Sequence, residues 1–409
     1  MTNEVKNVPE LRFPEFGGEW EEKSIGDLGS FYYGKSAPKW SITKDATIPC
    51  VRYGELYTKH KGIVREIYSY TNIDSNNLRF SEGGEILVPR VGEDPMDFAK
   101  CSYLPFSGIA IGEMISVYNT SQNPIFITTY FNSQMKYEFA KRVEGASVSN
   151  LYYSYLTNIN MKIPTINEQQ KIGDFFSKLD QQIELEEKKL AKLEEQKKGY
   201  MQKIFSQELR FKDENGNEYP EWEEKEINSV LEKIIDNRGK TPENNVTEIY
   251  PMLEVNSLGN YYPKYNKVAK FVSEKTYKTW FREHIKLNDV LFSTVGNTGL
   301  VSLMDNNKAV IAQNIVGLRI NSENDATFLY YLLSYWENQK KVKQIQMGAV
   351  QPSVKVSQFK YLKFYFPTKD EQQEIGVFLT IFDKIFEEQS KKIEILKERK
   401  QGLLQKMFI

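Results

Sequence analysis

Apolar residues recur every three or four positions along two long stretches of the chain. In the first they fall at Ile172, Phe176, Leu179, Ile183, Leu190, Leu193, Tyr200 and Ile204, with Glu186 and Lys197 at the two remaining steps. In the second they fall at Ile375, Leu379, Phe382, Phe386, Ile393, Leu396, Leu403 and Met407, with Gln389 and Lys400 at the same two steps. A mean apolar spacing of about 3.5 residues on a helix specifies a left-handed coiled coil. Neither stretch contains proline, and residues 166–206 carry eight basic and eight acidic side chains. Most of these read as a solvated face with i,i+4 pairs. Polar seam positions such as Glu186/Gln389 and Lys197/Lys400 lower stability but select register and partner. At about 1.5 Å per residue, a helix from Ile172 to Phe205 is roughly 50 Å long.

Elsewhere the apolar patterns are short and bounded by turn residues. EILVPRV (85–91), GIAIGEMISVYN (108–119), DVLFSTV (289–295) and AVIAQNIVGLRI (309–320) read as strands. FITTYFNSQMKYEFAKRV (126–143) and ATFLYYLLSYWENQKKVKQI (326–345) read as helices. The predicted fold class is α+β: two mixed domains separated by two long helices that pair as an antiparallel coiled coil.

The two halves are copies. NEQQKIGDFFSKLD (167–180) returns as DEQQEIGVFLTIFD (370–383), and KKGYMQKIF (197–205) as KQGLLQKMF (400–408), both displaced by 203 positions. Gly145-Ala146 pairs with Gly348-Ala349 in the same register. The front halves match more loosely: LRF occurs at 11–13 and 209–211, EWEEK at 19–23 and 221–225, and IGEMI (111–115) resembles IAQNI (311–315). A repeat half kept in register beside a diverged half suits a duplicated scaffold carrying two different readers. The expected divisions are a recognition domain at 1–165, a helix at 166–206, a second recognition domain at 207–368 and a second helix at 369–409. With a globular domain at either end, the helices run antiparallel and the readers face opposite ways.

Composition narrows the function. The net charge is −1 over 409 residues, so no global field draws the chain to nucleic acid and any such binding uses local patches. Two patches are present. Residues 31–65 hold seven basic against two acidic side chains, and residues 261–286 hold the same balance, both interleaved with aromatics. Cys50, Cys101, His60 and His284 lie too far apart for a zinc spacing. The N-terminal MTNEVKNVPELRF has no apolar signal core, and no apolar run is long enough to span a bilayer. A cytoplasmic protein with reduced thiols is expected.

One motif points elsewhere. GSFYYGKS (29–36) matches the phosphate-loop pattern G-x-x-x-x-G-K-[ST]. Its bulky interior and the following Pro38 oppose a phosphate cradle, and the second copy, Gly239-Lys240-Thr241-Pro242, lacks the first glycine. We read it as a tight basic turn. NPIF (123–126) reads as a turn rather than as a methyltransferase motif. No triad or nuclease carboxylate cluster is evident, and binding rather than catalysis is expected.

GAVQPSVKVSQFKYLKFYFPTKDEQQEIG (348–376) resembles the end of a target-recognition domain leading into the conserved helix of type I restriction–modification specificity subunits, and the pattern recurs at 145–173. NDVLFSTVGNTGLVSL (288–303) is similar to the family's strand-turn-strand. Single prolines, Pro164 and Pro367, stand where many members have two. Thr294 stands where arginine is common, with Arg90 in the related place of the first copy. The resemblance implies a non-catalytic subunit whose two domains each read half of a bipartite, asymmetric site in double-stranded DNA, with the helices as a ruler. A rod of roughly 50 Å suits half-sites about one helical turn or somewhat more apart, at about 34–36 Å per turn. Two adenine-N6 methyltransferase subunits and two ATP-dependent motor-nuclease subunits are the implied partners. S-adenosylmethionine, ATP and magnesium belong to them, and this chain needs no cofactor or metal of its own. Expected DNA contacts are Lys35 and Lys240 at phosphates, with Ser36 and Thr241 beside them as further DNA-binding candidates. Arg52, Arg90, Asn256, Asn297, Gln313 and Asn314 are the candidates at base edges or grooves. The rival reading is a coiled-coil scaffold without DNA readout.

Overall fold

The computed structural model describes residues 7–145, 148–237, 239–244, 249–305 and 307–409. The first six residues of the N-terminal stretch and Ala146 of the repeat lie outside the described residues. The chain divides into two compact units. The first comprises residues 7–187 and 392–409, and the second residues 188–391.

Both units are built on one plan. In the first, a four-stranded antiparallel sheet runs in the order Gly29–Tyr33, Ile115–Thr120, Glu85–Pro89, Ser102–Leu104. In the second the order is Leu231–Ile235, Ile315–Ile320, Val290–Ser293, Val301–Leu303. Each unit adds a three-stranded sheet in which one pair is parallel: Ile48–Val51 with Ala110–Ile111, and Tyr250–Leu253 with Val310–Ile311. Strand Glu85–Pro89 is buried throughout, as is Val290–Ser293, so the apolar runs read as strands are the central strands.

One helix packs on each sheet: α1 (Pro124–Gln134) in the first unit and α3 (Ala326–Ser334) in the second. The sequence suggested longer helices at both places. They break at Met135 and Tyr335, and short helices Lys136–Ala140 and Trp336–Gln344 follow. NPIF is not a turn: Asn123 caps α1, accepting the Phe126 N–H, and Pro124 takes the first helical position, where its missing N–H costs nothing. Asp325 caps α3 in the same way.

The two long helices are α2 (Ile166–Phe205) and α4 (Lys369–Met407). Each unit contains the first half of one and the second half of the other. In the first unit Lys400 bonds Asp180, and Lys392 bonds Glu186. Rising numbers on α2 thus meet falling numbers on α4, so the paired segments run antiparallel. In the second unit Lys197 bonds Asp383. Asp180 and Asp383 are repeat equivalents, as are Lys197 and Lys400, so the two ion pairs are the same contact made twice. They supply the seam lysines with partners.

The seam is not uniform along its length. Ile172 and Phe176 join a core with Trp20, Phe126 and Phe131, and Ile375 and Leu379 join one with Trp222, Phe328 and Tyr331. The start of each long helix therefore belongs to a globular core. Farther along, Leu179, Leu190, Leu193, Phe382, Phe386 and Leu396 are half-buried, and Ile183 and Ile393 are buried.

The segment entering each long helix is locked to it. Gln169 donates to the Pro164 carbonyl and to Gln122, and its Oε1 accepts the Asn123 N–H. Gln372 repeats this with Pro367, Asn324 and Asp325. A Cβ on Gly173 would sit 2.9 Å from Asn123 Oδ1, and one on Gly376 would sit 3.2 Å from Thr327. Glycine lets the long helix meet the N-terminus of the domain helix. The far ends are equally anchored. Phe205 packs against Trp222, Phe328 and Tyr335, and Phe408 packs against Trp20, Phe126 and Tyr130. Leu209 N–H bonds the Lys203 carbonyl at 2.9 Å, and Leu11 N–H bonds the Lys406 carbonyl at 2.8 Å.

Candidate nucleic-acid interface

The phosphate-loop match is dismantled by its own fold. Gly29–Tyr33 is an edge strand of the four-stranded sheet, so its backbone is extended and paired along one side with Ile115–Thr120, not wrapped round an anion. Gly34 ends the strand. A Cβ there would lie 2.2 Å from the Gly112 carbonyl oxygen, so this backbone crossing admits only glycine. Ser36 and Ala37 then take φ of 65° and 61° in succession. Left-handed residues other than glycine cost roughly 1–2 kcal/mol each, and surrounding contacts must hold them. The Glu113 N–H bonds the Ser36 carbonyl at 3.0 Å, and Ala37 is buried. Lys35 is left exposed, with Nζ 3.1 Å from the Asn76 carbonyl.

The turn Gly112–Met114 gathers the other first-unit candidates. Its Gly112 N–H bonds the Val51 carbonyl at 3.0 Å, beside Arg52, which opens the short helix Tyr53–Thr58. The Arg90 N–H bonds the Met114 carbonyl at 3.1 Å, and the Arg90 carbonyl accepts from Leu151 at 2.8 Å. The Arg90 guanidinium lies over the Tyr33 ring at 4.4 Å and the Tyr152 ring at 5.5 Å. Its Nη1 is 3.5 Å from the Glu113 carbonyl, and its buried Nε has no partner among the described residues. Burial pushes the Tyr33 hydroxyl above its ordinary value, against the opposing charge of Arg90, so the ring stays neutral. Lys35, Ser36, Arg52 and Arg90 thus converge on one turn.

The second unit repeats the frame with other side chains. Ala312 N–H bonds the Leu253 carbonyl at 2.9 Å, Thr294 N–H bonds the Asn314 carbonyl at 2.8 Å, and Val354 N–H bonds the Thr294 carbonyl at 2.8 Å. Backbone pairing therefore makes Thr294 the counterpart of Arg90, and Ala312-Gln313-Asn314 the counterpart of Gly112-Glu113-Met114. Gln313 is exposed and Asn314 half-buried. Asn297 is exposed on the turn after Val290–Ser293, where its carbonyl accepts from Ser293 Oγ at 2.7 Å. Asn256 is exposed, with Nδ2 3.5 Å from the Lys267 carbonyl. Lys240 and Thr241 are exposed on a separate loop, where Gly239 has φ 66° and bonds Asn237.

Each basic patch splits into paired and unpaired cations. Lys61 and Arg65 bond Glu187 and Glu184 of α2. Among the described residues no carboxylate lies within 4.0 Å of the ammonium groups of Lys35, Lys39 and Lys44 or of the Arg52 guanidinium, although the Arg52 backbone N–H bonds Glu55. In the second patch Lys270 and Lys278 pair with Glu254 and Glu274, while Lys264, Lys267 and Lys275 have no such partner among the described residues. Unpaired cations are the groups able to displace counterions from a polyanion.

Tyr33, Tyr152 and the Gly112–Glu113 turn escaped sequence reasoning. The likeness of IGEMI to IAQNI marked the turn, yet only its second copy supplied candidates. The tyrosines carried no signal, because Tyr152 reaches Arg90 only through the strand pairing of Val91–Gly92 with Ser149–Asn150.

The duplicated frame with diverged turns has a counterpart among known proteins. The family model described as the type I restriction modification DNA specificity domain matches residues 17–195 and again 219–397. The chain belongs to this family. The type I restriction enzyme MjaVIII specificity subunit of Methanocaldococcus jannaschii is 22% identical over 425 residues, covering 98% of this chain and 93% of the relative. The MjaIX specificity subunit of the same organism is 25% identical over 211 residues, covering 50% of this chain. In that and one further alignment the chain spans about half the length of the relative, 48% and 49%. The crystal structure of the type I restriction–modification S subunit from M. genitalium superposes with a TM-score of 0.65 at 15% identity, covering 98% of this chain and 99% of that one. That likeness establishes the fold of a specificity subunit. Among the described residues no helix is long and apolar enough to cross a membrane.

Proposed function

We propose that this chain is the DNA-specificity subunit of a type I restriction–modification complex, and that each unit reads one half of a bipartite, asymmetric site in double-stranded DNA. The observation that supports this best is the pattern of retention and divergence. The residues that build the frame are kept in both copies: Arg12 and Arg210, Glu168 and Glu371, Gly173 and Gly376, Lys197 and Lys400. Residues on matched turns differ: Arg90 against Thr294, and Gly112-Glu113-Met114 against Ala312-Gln313-Asn314. A scaffold without readout gives no reason for identical backbones to present different polar side chains.

In this reading the unpaired lysines Lys35, Lys39 and Lys44, with Lys240, Lys264 and Lys267, contact phosphates and set orientation. The side chains at the matched turns contact base edges. The paired helices fix the spacing of the half-sites and dock two adenine-N6 methyltransferase subunits. Motor-nuclease subunits join for cleavage. S-adenosylmethionine, ATP and magnesium act on those partners, in the cytoplasm, and this chain supplies selection without catalysis.

Methylome sequencing with and without the chain tests the reading. Loss of one bipartite N6-methyladenine motif on deletion is the expected result. An unchanged methylome would support the scaffold instead. Exchanging residues 1–165 for those of another specificity subunit should change one half of the motif only.

A further inference from the structure

Resting on that reading, we infer that Arg90 is the guanine-reading residue of the first unit, held by Tyr33 and Tyr152, and that the second unit has no equivalent contact.

Arg90 differs from the half-buried arginines that build the frame. Arg12 and Arg210 each make two bonds to a buried glutamate, and Arg319 is bonded by Asp289 and Glu283. Their donors are satisfied and their role is structural. Arg90 has no carboxylate within 4.0 Å among the described residues, one long contact to a carbonyl, and an unbonded buried Nε. A guanidinium has five N–H donors, and leaving most of them unused in a half-buried site is unfavourable unless a ligand completes them. Two tyrosine rings flank its face, so what remains for an incoming group is the N–H edge. That edge is the fork that pairs with O6 and N7 of guanine in the major groove.

A phosphate could engage the same fork, but the repeat argues for a base. A group that only positions the backbone serves both readers equally and should survive duplication. The position instead diverged to Thr294, on a backbone held by the same two hydrogen bonds, and Thr294 is buried. Its hydroxyl is too short to replace a forked donor. Exposed lysines near Arg90, Lys35 foremost, are better placed for the mobile, non-directional contacts that phosphates need.

The test uses the full chain with its co-purifying subunits and a randomised duplex pool, sequenced after selection. Wild type, Arg90→Lys, Arg90→Met and Lys35→Ala are compared. The expected result is loss of preference for one G·C pair in one half of the motif in Arg90→Met, with Arg90→Lys keeping part of that preference. The loss should be on the order of 5- to 150-fold, with the other half unchanged. Preference at the other half reports that the variant is folded. Lys35→Ala should bind all sequences more weakly and keep the motif. An intact motif in Arg90→Met, or a uniform loss like that of Lys35→Ala, overturns the assignment while leaving the two-reader function standing. Absence of any bipartite motif with the wild type overturns both.

Discussion

Arg12 and Glu168, 156 positions apart, are joined at two points: Nε to Oε1 and Nη2 to Oε2, each at 2.7 Å, with the carboxylate completely buried. Arg210 and Glu371 repeat the arrangement at 2.8 and 2.9 Å, and Trp222 Nε1 donates to the same carboxylate. The pair ties the segment before each sheet domain to the start of the long helix.

Removing one partner strands a buried charge. Arg12→Met should therefore cost about 3–5 kcal/mol in urea unfolding. Arg12→Met combined with Glu168→Met should recover most of that loss, because two apolar groups can fill the site without an unpaired charge. A double variant no better than the single one would show that the pair contributes geometry that apolar packing cannot replace.

Four glycines in the long helices should split by location. Gly199 and Gly402 meet nothing within 4 Å, so alanine there should stabilise by about 1 kcal/mol through helix propensity. Gly173→Ala should instead destabilise, because the new Cβ meets Asn123 Oδ1 at 2.9 Å and the Phe126 nitrogen at 3.2 Å. Thermal midpoints of the three single variants give the signs directly.

The chain has two histidines. Burial lowers both from the ordinary value of 6.5, opposed by Glu55 at His60 and by Glu283 at His284, where Lys286 adds to the lowering. Below pH 6.5 the unfolded chain takes up protons that the folded chain refuses until its lower values are reached. Stability should therefore be full above 6.5 and decline as pH falls beneath it. Urea midpoints at about pH 7.5 and about pH 5.5 should converge in a His60→Gln/His284→Gln variant. An unaltered difference would place the titration on other groups.

Lys35→Ala should weaken binding to every DNA sequence and reduce the magnitude of the salt slope by about one. Filter binding across a salt series checks this. A changed sequence preference would move Lys35 from phosphate to base.

The heptads from Ile172 to Ile204 and from Ile375 to Met407 were legible because a helix seam is local and its period is visible in one stretch of chain. The repeat offset made Asp180 and Asp383, and Lys197 and Lys400, equivalents before any contact was known. The break at Tyr335 was hidden, because YYLLSYW remains apolar through it. The cause is tertiary: Tyr335 leaves the helix and stacks on Phe205 at 5.0 Å. The LRF repeats were visible as words, but their meaning lay in Glu168 and Glu371, far along the chain. At the candidate interface, the family resemblance singled out Arg90, and Gln313 and Asn314 joined it as candidates. The pairing of Arg90 with Thr294 became secure only through backbone bonds to Leu151 and Val354. Tyrosines abundant in any core do not advertise which of them clamp an arginine.

The bond from Leu11 to Lys406 deserves comparison with that from Leu209 to Lys203. In the second unit six positions of continuous chain separate the partners. In the first, the same junction joins residues 395 positions apart in the sequence. The order of segments is therefore cyclic: the junction that continuous chain closes in the second unit is closed by packing and hydrogen bonding in the first. A chain started at Leu209, with Ile409 linked through a short spacer to the segment before Leu11, would keep every contact described within each unit. Permuted order is thus compatible with unchanged recognition.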